Sequence, residues 1–166
     1  MIDYKKISNS FKEKLILEYH PVGFFYTDKK PDNSIGFKNK GGGCIMPLIF
    51  TCAKGKTAAF NEGSTGYPCS AFYLGYKDWI FPGIEKFLSN GPFPGRECER
   101  IVKTAELAEN YVKSLRPAEK EKGWAVFKPL EEFSGEEKPE VVIFFANADQ
   151  LSALTYLLYF DAPEED

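Results

Sequence analysis

The sequence predicts an α/β or α+β fold, a single domain over residues 1–166 in which helices flank a mixed sheet and the chain ends in a βα unit. Three observations support this fold class. The chain has 166 residues, of which 43% are hydrophobic and 27% are charged, a composition typical of one globular domain. Short β-branched or aromatic runs alternate with helical patterns. Near the end, a strand pattern, a tight turn and a helix pattern follow each other directly.

The N-terminal segment predicts an amphipathic helix over residues 3–19. Its apolar side chains recur at steps of three and four, so they share one helix face. These residues are Tyr4, Ile7, Phe11 and Leu15. Asp3 is the expected N-cap, because its carboxylate can accept a hydrogen bond from a first-turn N–H group. The helix should end before His20, since the residue preceding Pro21 disfavours helical backbone angles.

Two strands and a second helix are expected next. Residues 22–27 form a short apolar and aromatic run followed by turn residues, which is typical of a strand. A helix is expected over residues 47–54, because proline suits the first helical turn and Gly55 suits the position after the last turn. Residues 57–61 predict another short strand.

The second half begins with a short helix at residues 84–88 and continues with a longer helix at residues 105–115. Thr104 is the expected N-cap of the longer helix. The side chains expected on its buried face are Leu107, Ala108, Tyr111, Val112 and Leu115. Residues 124–128 predict a strand. The acidic stretch at residues 131–139 is expected to be a solvated surface turn.

The last part of the chain predicts the βα unit. Residues 141–146 are a continuous β-branched and aromatic run, which indicates a strand buried on both faces. Asn147 and Gln150 then stand three positions apart, a variant of the capping box that begins a helix. The helix itself is expected over residues 148–159, where the side chains are mostly apolar.

Charge and composition argue against two classes of partner. The formal net charge is −3 and the basic residues are scattered, so we expect no nucleic-acid binding. No apolar run approaches the about 18 residues that a membrane span needs, and the N-terminus lacks the apolar segment of a secretory signal. Four cysteines without such a signal indicate a reducing compartment, so we expect a cytoplasmic protein with no membrane partner.

Several segments taken together resemble the ArCR family. They are Gly43–Leu48, Ala53–Phe60, Cys69 with Leu74–Gly75, Val126–Leu130 and Phe145–Leu151. The resemblance covers nearly the whole chain, and the joint order of the segments is specific. ArCR proteins occur in archaea and anaerobic bacteria and are classed as a domain of unknown function, so the resemblance implies a shared fold and no assigned activity. Family members continue past residues 161–166 with another strand and a Gly–Cys segment, which implies a short member or a fragment.

The cysteines are the first candidates for chemistry. Cys44 and Cys69 lie in Gly- and Pro-rich segments, and we consider them as ligands of an iron–sulfur cluster or another thiophilic metal. The strong C-x-x-C signature is absent, so both can also be small buried apolar residues. Cys52 is expected to be buried inside a helix. Cys98 is expected to be an incidental thiol at or near the surface.

A glycine run and nearby aromatic residues are the second candidates. Gly41, Gly42 and Gly43 permit a close approach of the backbone to a ligand, although a plain flexible loop has the same composition. Tyr67 and Tyr73 are expected to line the pocket of such a ligand. Side chains that would complete the pocket are Phe72 and Trp79.

The histidine and the carboxylates give weaker signals. His20 is the only histidine, so no Ser-His-Asp or Cys-His nucleophile system can be argued from a second one, and a structural role beside the first helix is expected. The acidic side chains show no paired pattern and are expected to be solvated. Examples are Glu62, Asp78, Glu131 and Glu132.

Three functional interpretations stay open. The first is a thiol-based role of Cys44 and Cys69 in metal binding, iron–sulfur binding or redox chemistry, with a partner subunit supplying further ligands. The second is a metal-free domain that binds a small molecule, whose identity the sequence does not indicate. The third is an interaction subunit that forms a homo-oligomer, because an uncovered strand edge or apolar face favours association. The sequence does not indicate whether the protein is an enzyme.

Overall fold

The computed structural model describes residues 2–38, 43–65, 67–95, 97–119 and 123–160. These residues form two compact units. Unit 1 consists of the described residues within 1–37, 44–61 and 121–166, and unit 2 of those within 38–43 and 62–120. The sheet belongs to unit 1. The prediction of a single domain stays a prediction. Among the described residues, no helix combines the length and the apolar character needed to cross a membrane.

The described residues form four strands and six α-helices. The strands are β1 (Val22–Thr27), β2 (Ala58–Phe60), β3 (Trp124–Pro129) and β4 (Val141–Ile143). The helices are α1 (Tyr4–Leu15), α2 (Met46–Cys52), α3 (Pro68–Tyr73), α4 (Ile84–Leu88), α5 (Ala105–Ser114) and α6 (Ala148–Phe160). Unit 1 holds α1, α2 and α6, whereas α3, α4 and α5 belong to unit 2.

The sheet of unit 1 has the spatial order β2–β3–β1–β4. Its neighbouring strands are antiparallel, and an isolated parallel bridge joins Ile35 to Ala58. Val22 lies opposite Pro129 on one side and Ile143 on the other, so β1 is a central strand and β4 is an edge strand. The chain therefore has a mixed α/β fold that ends in a βα unit formed by β4 and α6.

The core of unit 1 contains one cluster of buried side chains from β1, β2, β3 and the segment after β3. They are Phe25, Ala59, Val126, Leu130 and Phe133. Burial of a side chain such as Phe25 stabilises the fold by about 1.5–3 kcal/mol. Position 23 requires glycine, because a Cβ atom there would overlap the ring of Phe133. Tyr4 of α1 packs against this cluster, with its ring centroid 5.7 Å from that of Phe133.

Unit 2 is held together by a second cluster, which joins its three α-helices. The buried residues of this cluster are Phe72, Ile80, Ile84 and Val112. Thr104 begins α5 as predicted, because its hydroxyl oxygen accepts a hydrogen bond from the backbone N–H of Leu107 at 3.2 Å. Ala108 and Val112 form the buried side of α5. The prediction that Leu107 and Tyr111 belong to the buried face of α5 is wrong, because they are 52% and 46% exposed.

Local sequence patterns located most elements correctly. The strand β1 and the helix α4 have the predicted bounds, and the Asp3 carboxylate caps α1 by accepting a hydrogen bond from the Lys6 N–H at 2.9 Å. The helix α1 ends four residues earlier than predicted, at Leu15, because Ile16 adopts left-handed backbone angles with φ at +52°. The prediction that β4 is buried on both faces is wrong, because β4 is an edge strand and Val141 is 51% exposed.

Candidate functional site

The most exposed apolar element among the described residues is α6. None of its 13 residues is buried. Six of its large apolar side chains are 55–72% exposed, and we call them the α6 surface. They are Leu151, Tyr156, Leu157, Leu158, Tyr159 and Phe160. A helix that is apolar on all sides is normally covered by other protein or by lipid. This surface is therefore a candidate binding site.

An open groove of about 730 Å³ separates part of α6 from the rest of unit 1. Phe11, Val142 and Phe144 form one side of this groove, and apolar side chains of α6 form the other. Thr155 contributes a hydroxyl group, which already donates a hydrogen bond to the carbonyl oxygen of Leu151 at 2.9 Å. The groove offers apolar area but few polar groups to orient a polar ligand.

A second cleft, of about 430 Å³, lies at the start of α6 and is called the aromatic cleft here. Residues that line it include Ile16, Glu18, Tyr19, Phe50, Phe145 and Asn147. The ring of Phe50 packs edge to face against both neighbours, with centroid distances of 4.8 Å to Tyr19 and 5.0 Å to Phe145. One wall of the cleft is therefore a continuous aromatic cluster.

Two charged side chains accompany this aromatic cluster. The Nζ atom of Lys54 lies 4.4 Å from the ring centroid of Phe50 and 5.9 Å from that of Tyr19, both within cation–π distance. Glu18 is the neighbouring residue in the chain, and hydrogen bonding to its carboxylate is the main cause that raises the pKa of Tyr19 above its ordinary value. The cleft thus combines aromatic rings with a hydrogen-bonded carboxylate.

Gln150 joins the start of α6 to the end of α1. Its Oε1 atom accepts a hydrogen bond from the Asn147 N–H at 2.8 Å, and Asn147 Oδ1 accepts one from the Gln150 N–H at 2.9 Å, which confirms the predicted capping box. Its Nε2 atom donates to the carbonyl oxygens of Leu15 at 3.1 Å and Ile16 at 2.8 Å. These bonds hold Ile16 in a left-handed conformation that costs roughly 1–2 kcal/mol for a residue with a side chain.

A polar network attaches α1 to the segment after β3. Ser8 is 0% exposed and donates a hydrogen bond to Glu131 Oε2 at 2.9 Å. His20 Nδ1 lies 2.9 Å from Glu131 Oε1 and 3.2 Å from the Nζ atom of Lys12. The prediction that Glu131 is simply solvated is therefore wrong. Tertiary packing leaves only 24% of the Glu131 side chain exposed. The network therefore has a structural role, because it attaches α1 to the rest of unit 1.

Two of the cysteines have local partners for their thiols. Cys52 is 0% exposed and donates its S–H to the carbonyl oxygen of Phe127 at 3.4 Å. Burial raises the pKa of Cys52 to about 12, so this thiol is inert at neutral pH. The Sγ atom of Cys98 lies 2.7 Å from the carbonyl oxygen of Gly91, to which it donates its hydrogen. Neither residue is a candidate for chemistry.

Cys44 and Cys69 lie in different units. Cys44 is exposed and belongs to unit 1, whereas Cys69 is half-buried as the second residue of α3 in unit 2. Among the described residues, no group of three or more His, Cys, Asp or Glu side chains is placed to hold a metal ion. Because structural zinc sites need four protein ligands, Cys44 and Cys69 would need further ligands from outside these residues.

The predicted glycine loop is described only in part. Gly41 and Gly42 lie outside the described residues. The carbonyl oxygen of Gly43 accepts a hydrogen bond from the hydroxyl of Ser70 at 2.9 Å. Tyr67 is half-buried at the start of α3, and Tyr73 is 43% exposed at its end. The structure thus places Gly43 and α3 together within unit 2, and the ligand role of Tyr67 and Tyr73 stays a prediction.

Sequence reasoning missed both the α6 surface and the aromatic cleft. A signal for the α6 surface was present, because Gln150–Phe160 contains no charged residue and no polar stripe, and a helix with such a sequence has no side suited to water. The aromatic cleft had no local signal. Tyr19, Phe50 and Phe145 are far apart in the chain and meet only in the folded unit.

Comparison with known proteins gives a family without an assigned activity. The family model described as Uncharacterised ArCR, domain of unknown function 169, matches residues 10–166. No curated protein matches the chain, and no solved structure does.

Proposed function

The chain belongs to the uncharacterised ArCR family, and we propose that it acts as an interaction domain that pairs with a second copy of itself through the α6 surface. The observation that carries this proposal is the packing of α6, which has 13 residues and buries none of them. Removing such apolar side chains from water is the main favourable term in most protein–protein association.

The exposed area suits a dimer. Large aromatic side chains present about 150–250 Å² each when fully accessible. The α6 surface, with six side chains that are 55–72% exposed, therefore offers roughly 600 Å². This equals the upper end of the largest apolar patch on an ordinary monomer, about 300–600 Å². If a second copy covered the α6 surface of each chain completely, about 1,200 Å² would be buried, the lower limit of a stable specific interface.

The charge of α6 favours a second copy as the occupant. Asp149 is the only charged residue in Ala148–Phe160, and it lies in the first turn. Two copies of α6 can therefore meet without burying an unpaired charge in the centre of the interface. The hydroxyl groups of Tyr156 and Tyr159 can reach water at the rim while their rings are buried. A two-fold arrangement would use every one of these contacts twice.

Size-exclusion chromatography with light scattering tests this proposal. The chain has a mass of 18.8 kDa, and we expect a species of twice this mass that dissociates on dilution. Leu158→Glu should give a monomer at every concentration, because a single charge buried in an apolar interface costs several kcal/mol. Leu158 is the most exposed side chain of the α6 surface, at 72%, so the substitution should leave the folded unit intact.

Leu107→Glu is the matched control. Leu107 is also an exposed leucine on a helix, at 52%, but it belongs to α5. This variant should keep the mass of the wild-type protein. A wild-type chain that stays monomeric at high concentration would contradict the proposal. Association that survives Leu158→Glu, or that requires a different polypeptide in place of a second copy, would contradict it as well.

A thiol-based role is a second proposal. It is supported by the exposure of Cys44 and the partial exposure of Cys69, and two copies of the chain would supply four such thiols. We place the protein in a reducing compartment such as the cytoplasm, where these thiols stay reduced. Metal analysis and a visible spectrum of anaerobically purified protein test the role. Colourless, metal-free protein whose thiols are unreactive would exclude it, and Cys44→Ser with Cys69→Ser should abolish any bound metal.

Ligand binding in unit 2 is a third proposal, supported by the contact between Gly43 and α3. Ser70 anchors the end of the glycine run to α3 by its hydroxyl group, and the exposed ring of Tyr73 lies on the same short helix. A thermal-shift screen of metabolites tests it. Ligands should raise the melting temperature of the wild-type protein but not that of Tyr73→Ala, and an unchanged melting temperature across the screen would count against this site.

A further inference from the structure

We propose that the aromatic cleft binds a small organic cation of the alkylammonium class. This inference goes beyond self-association, because none of the residues that line the cleft belongs to the α6 surface. It is carried by the presence of three aromatic rings and one carboxylate in a cleft of about 430 Å³. Such a volume is within the range of small-molecule sites.

Three aromatic rings that line the cleft pack together as one cluster. Phe50 lies between Tyr19 and Phe145, whose ring centroids are 6.4 Å apart. The ring plane of Phe50 is tilted by 62° from that of Tyr19 and by 61° from that of Phe145. All three rings line the cleft, and each packs edge to face against the other two. The face of an aromatic ring is its electron-rich side and attracts cations.

Lys54 shows that these rings already attract an ammonium group. Its Nζ atom lies 4.4 Å from the centroid of Phe50 and 5.9 Å from that of Tyr19. Lys54 is not among the residues that line the cleft. A ligand in the cleft would therefore approach the same aromatic cluster from a different side, and the charge of Lys54 would oppose a cationic ligand.

The lining of the cleft itself is negatively charged. Among the described residues that line it, Glu18 alone carries a charge. A carboxylate beside aromatic rings favours a cation over an anion of similar size. An alkylammonium group suits this combination, because its methyl groups contact the rings while its charge interacts with the carboxylate.

The frame of the cleft is fixed before any ligand arrives. Ile16 lines the cleft with a side chain that is 82% exposed, although its left-handed backbone angles would suit glycine better. Gln150, which also lines the cleft, holds that backbone through hydrogen bonds of 2.8 Å and 3.1 Å. The Ile16 side chain gives the cleft an apolar wall, which a glycine at this position would lack. This wall is kept at the cost of a strained backbone conformation.

Titration with choline tests the proposal, with sodium benzoate as a planar anion of similar size. We expect saturable binding of choline to the wild-type chain in isothermal titration calorimetry and none of benzoate. Phe145→Leu and Glu18→Gln should each weaken choline binding by about threefold or more. Phe145→Tyr keeps the aromatic face and should keep the affinity. Lys54→Met removes the competing charge and should strengthen choline binding by about twofold or more.

Matched control variants distinguish a direct role of Glu18 and Lys54 in choline binding from a general effect of the protein's net charge. Glu13→Gln and Lys56→Met make the same changes of charge at exposed positions that do not line the cleft, and both should leave choline binding unchanged. Leu158→Glu should also bind choline normally, so failure of self-association and failure of this site are distinguishable. Benzoate binding without choline binding, equal choline affinity in Phe145→Leu, or weaker choline binding in Lys54→Met would each overturn the proposal.

Discussion

The helices α1 and α6 belong to the same unit and meet at Gln150, yet they are packed in different ways. In α1, Ser8 is 0% exposed and Tyr4 packs against the core cluster. In α6, every residue is exposed or half-buried, although its sequence is the more apolar of the two. Although α1 has more charged residues than α6, α1 is the helix that packs on the core of the unit.

This difference shows that burial depends on a match between two faces and not on apolar content alone. The helix α1 is amphipathic, so one side can pack on the core while Lys5, Lys6, Glu13 and Lys14 face water. Its polar Ser8 is accommodated because Glu131 accepts the hydrogen bond. The helix α6 is apolar on all sides, and the groove between it and Phe11 and Phe144 stays open. A second copy is the covering that we propose.

Removal of the Glu131 carboxylate should produce the largest loss of stability. Glu131→Ala leaves Ser8 buried without its acceptor and removes the carboxylate that His20 contacts at 2.9 Å. We expect the free energy of unfolding to fall by about 2–3 kcal/mol, measured by urea denaturation with circular dichroism. Glu136→Ala, at an exposed position, is the control and should change it by less than about 0.5 kcal/mol. If both variants had the same urea midpoint, the contacts of Glu131 would not be what attaches α1 to the rest of unit 1.

Removal of the Gln150 side chain should have an intermediate effect. Gln150→Ala deletes half of the capping box and both hydrogen bonds to the end of α1. We expect a loss of about 1–2 kcal/mol in the free energy of unfolding. Ser152→Ala, at an exposed position two residues further along α6, serves as the control. If both variants unfold alike, Gln150 does not connect the two helices.

Acid should weaken the attachment of α1 in a defined direction. Partial burial alone would raise the pKa of Glu131, but hydrogen bonds from His20 and Ser8 outweigh it and hold that pKa below its ordinary value of 4.5. The stabilising contribution of Glu131 is therefore complete above pH 4.5 and is lost as the pH falls through the folded-state pKa. The stability difference between the wild-type protein and Glu131→Gln should shrink in acid. A constant difference would contradict this pKa direction.

Substitution on the α6 surface should have the smallest effect on unfolding. At a concentration where the wild-type protein is monomeric, Leu158→Glu should change the free energy of unfolding by less than about 0.5 kcal/mol, because Leu158 is 72% exposed. The same variant should remove the dependence of the melting temperature on protein concentration. A loss of more than about 2 kcal/mol in dilute solution would show instead that α6 packs against its own unit.

Short-range patterns predicted much of the fold correctly. The bounds of β1 and the capping residues of α1, α5 and α6 follow from neighbours within a few positions. The burial of β4 was predicted wrongly from the same kind of pattern. A continuous apolar run fits a central strand, but β4 pairs with β1 alone and Val141 is exposed.

The candidate sites were much harder to predict. Cysteine and glycine are chemically distinctive residue types and therefore suggested candidate sites, and the roles of Cys44 and Cys69 stay predictions. The aromatic cleft consists of ordinary core residue types, so neither Tyr19 nor Phe145 has a distinctive signal in the sequence. The absence of charge after Asp149 did indicate an unusual helix, but not whether the protein would cover it.

The sequence by itself determined approximately where most helices and strands of this protein begin, because caps, turns and side-chain periodicity act between residues only a few positions apart. The tertiary structure alone decided which of these elements are covered. Ser8 and its partner Glu131 are 123 positions apart, and β4 pairs with β1 alone and leaves Val141 51% exposed. Burial is a property of neighbours in space, and those neighbours are brought together only when the whole chain has folded.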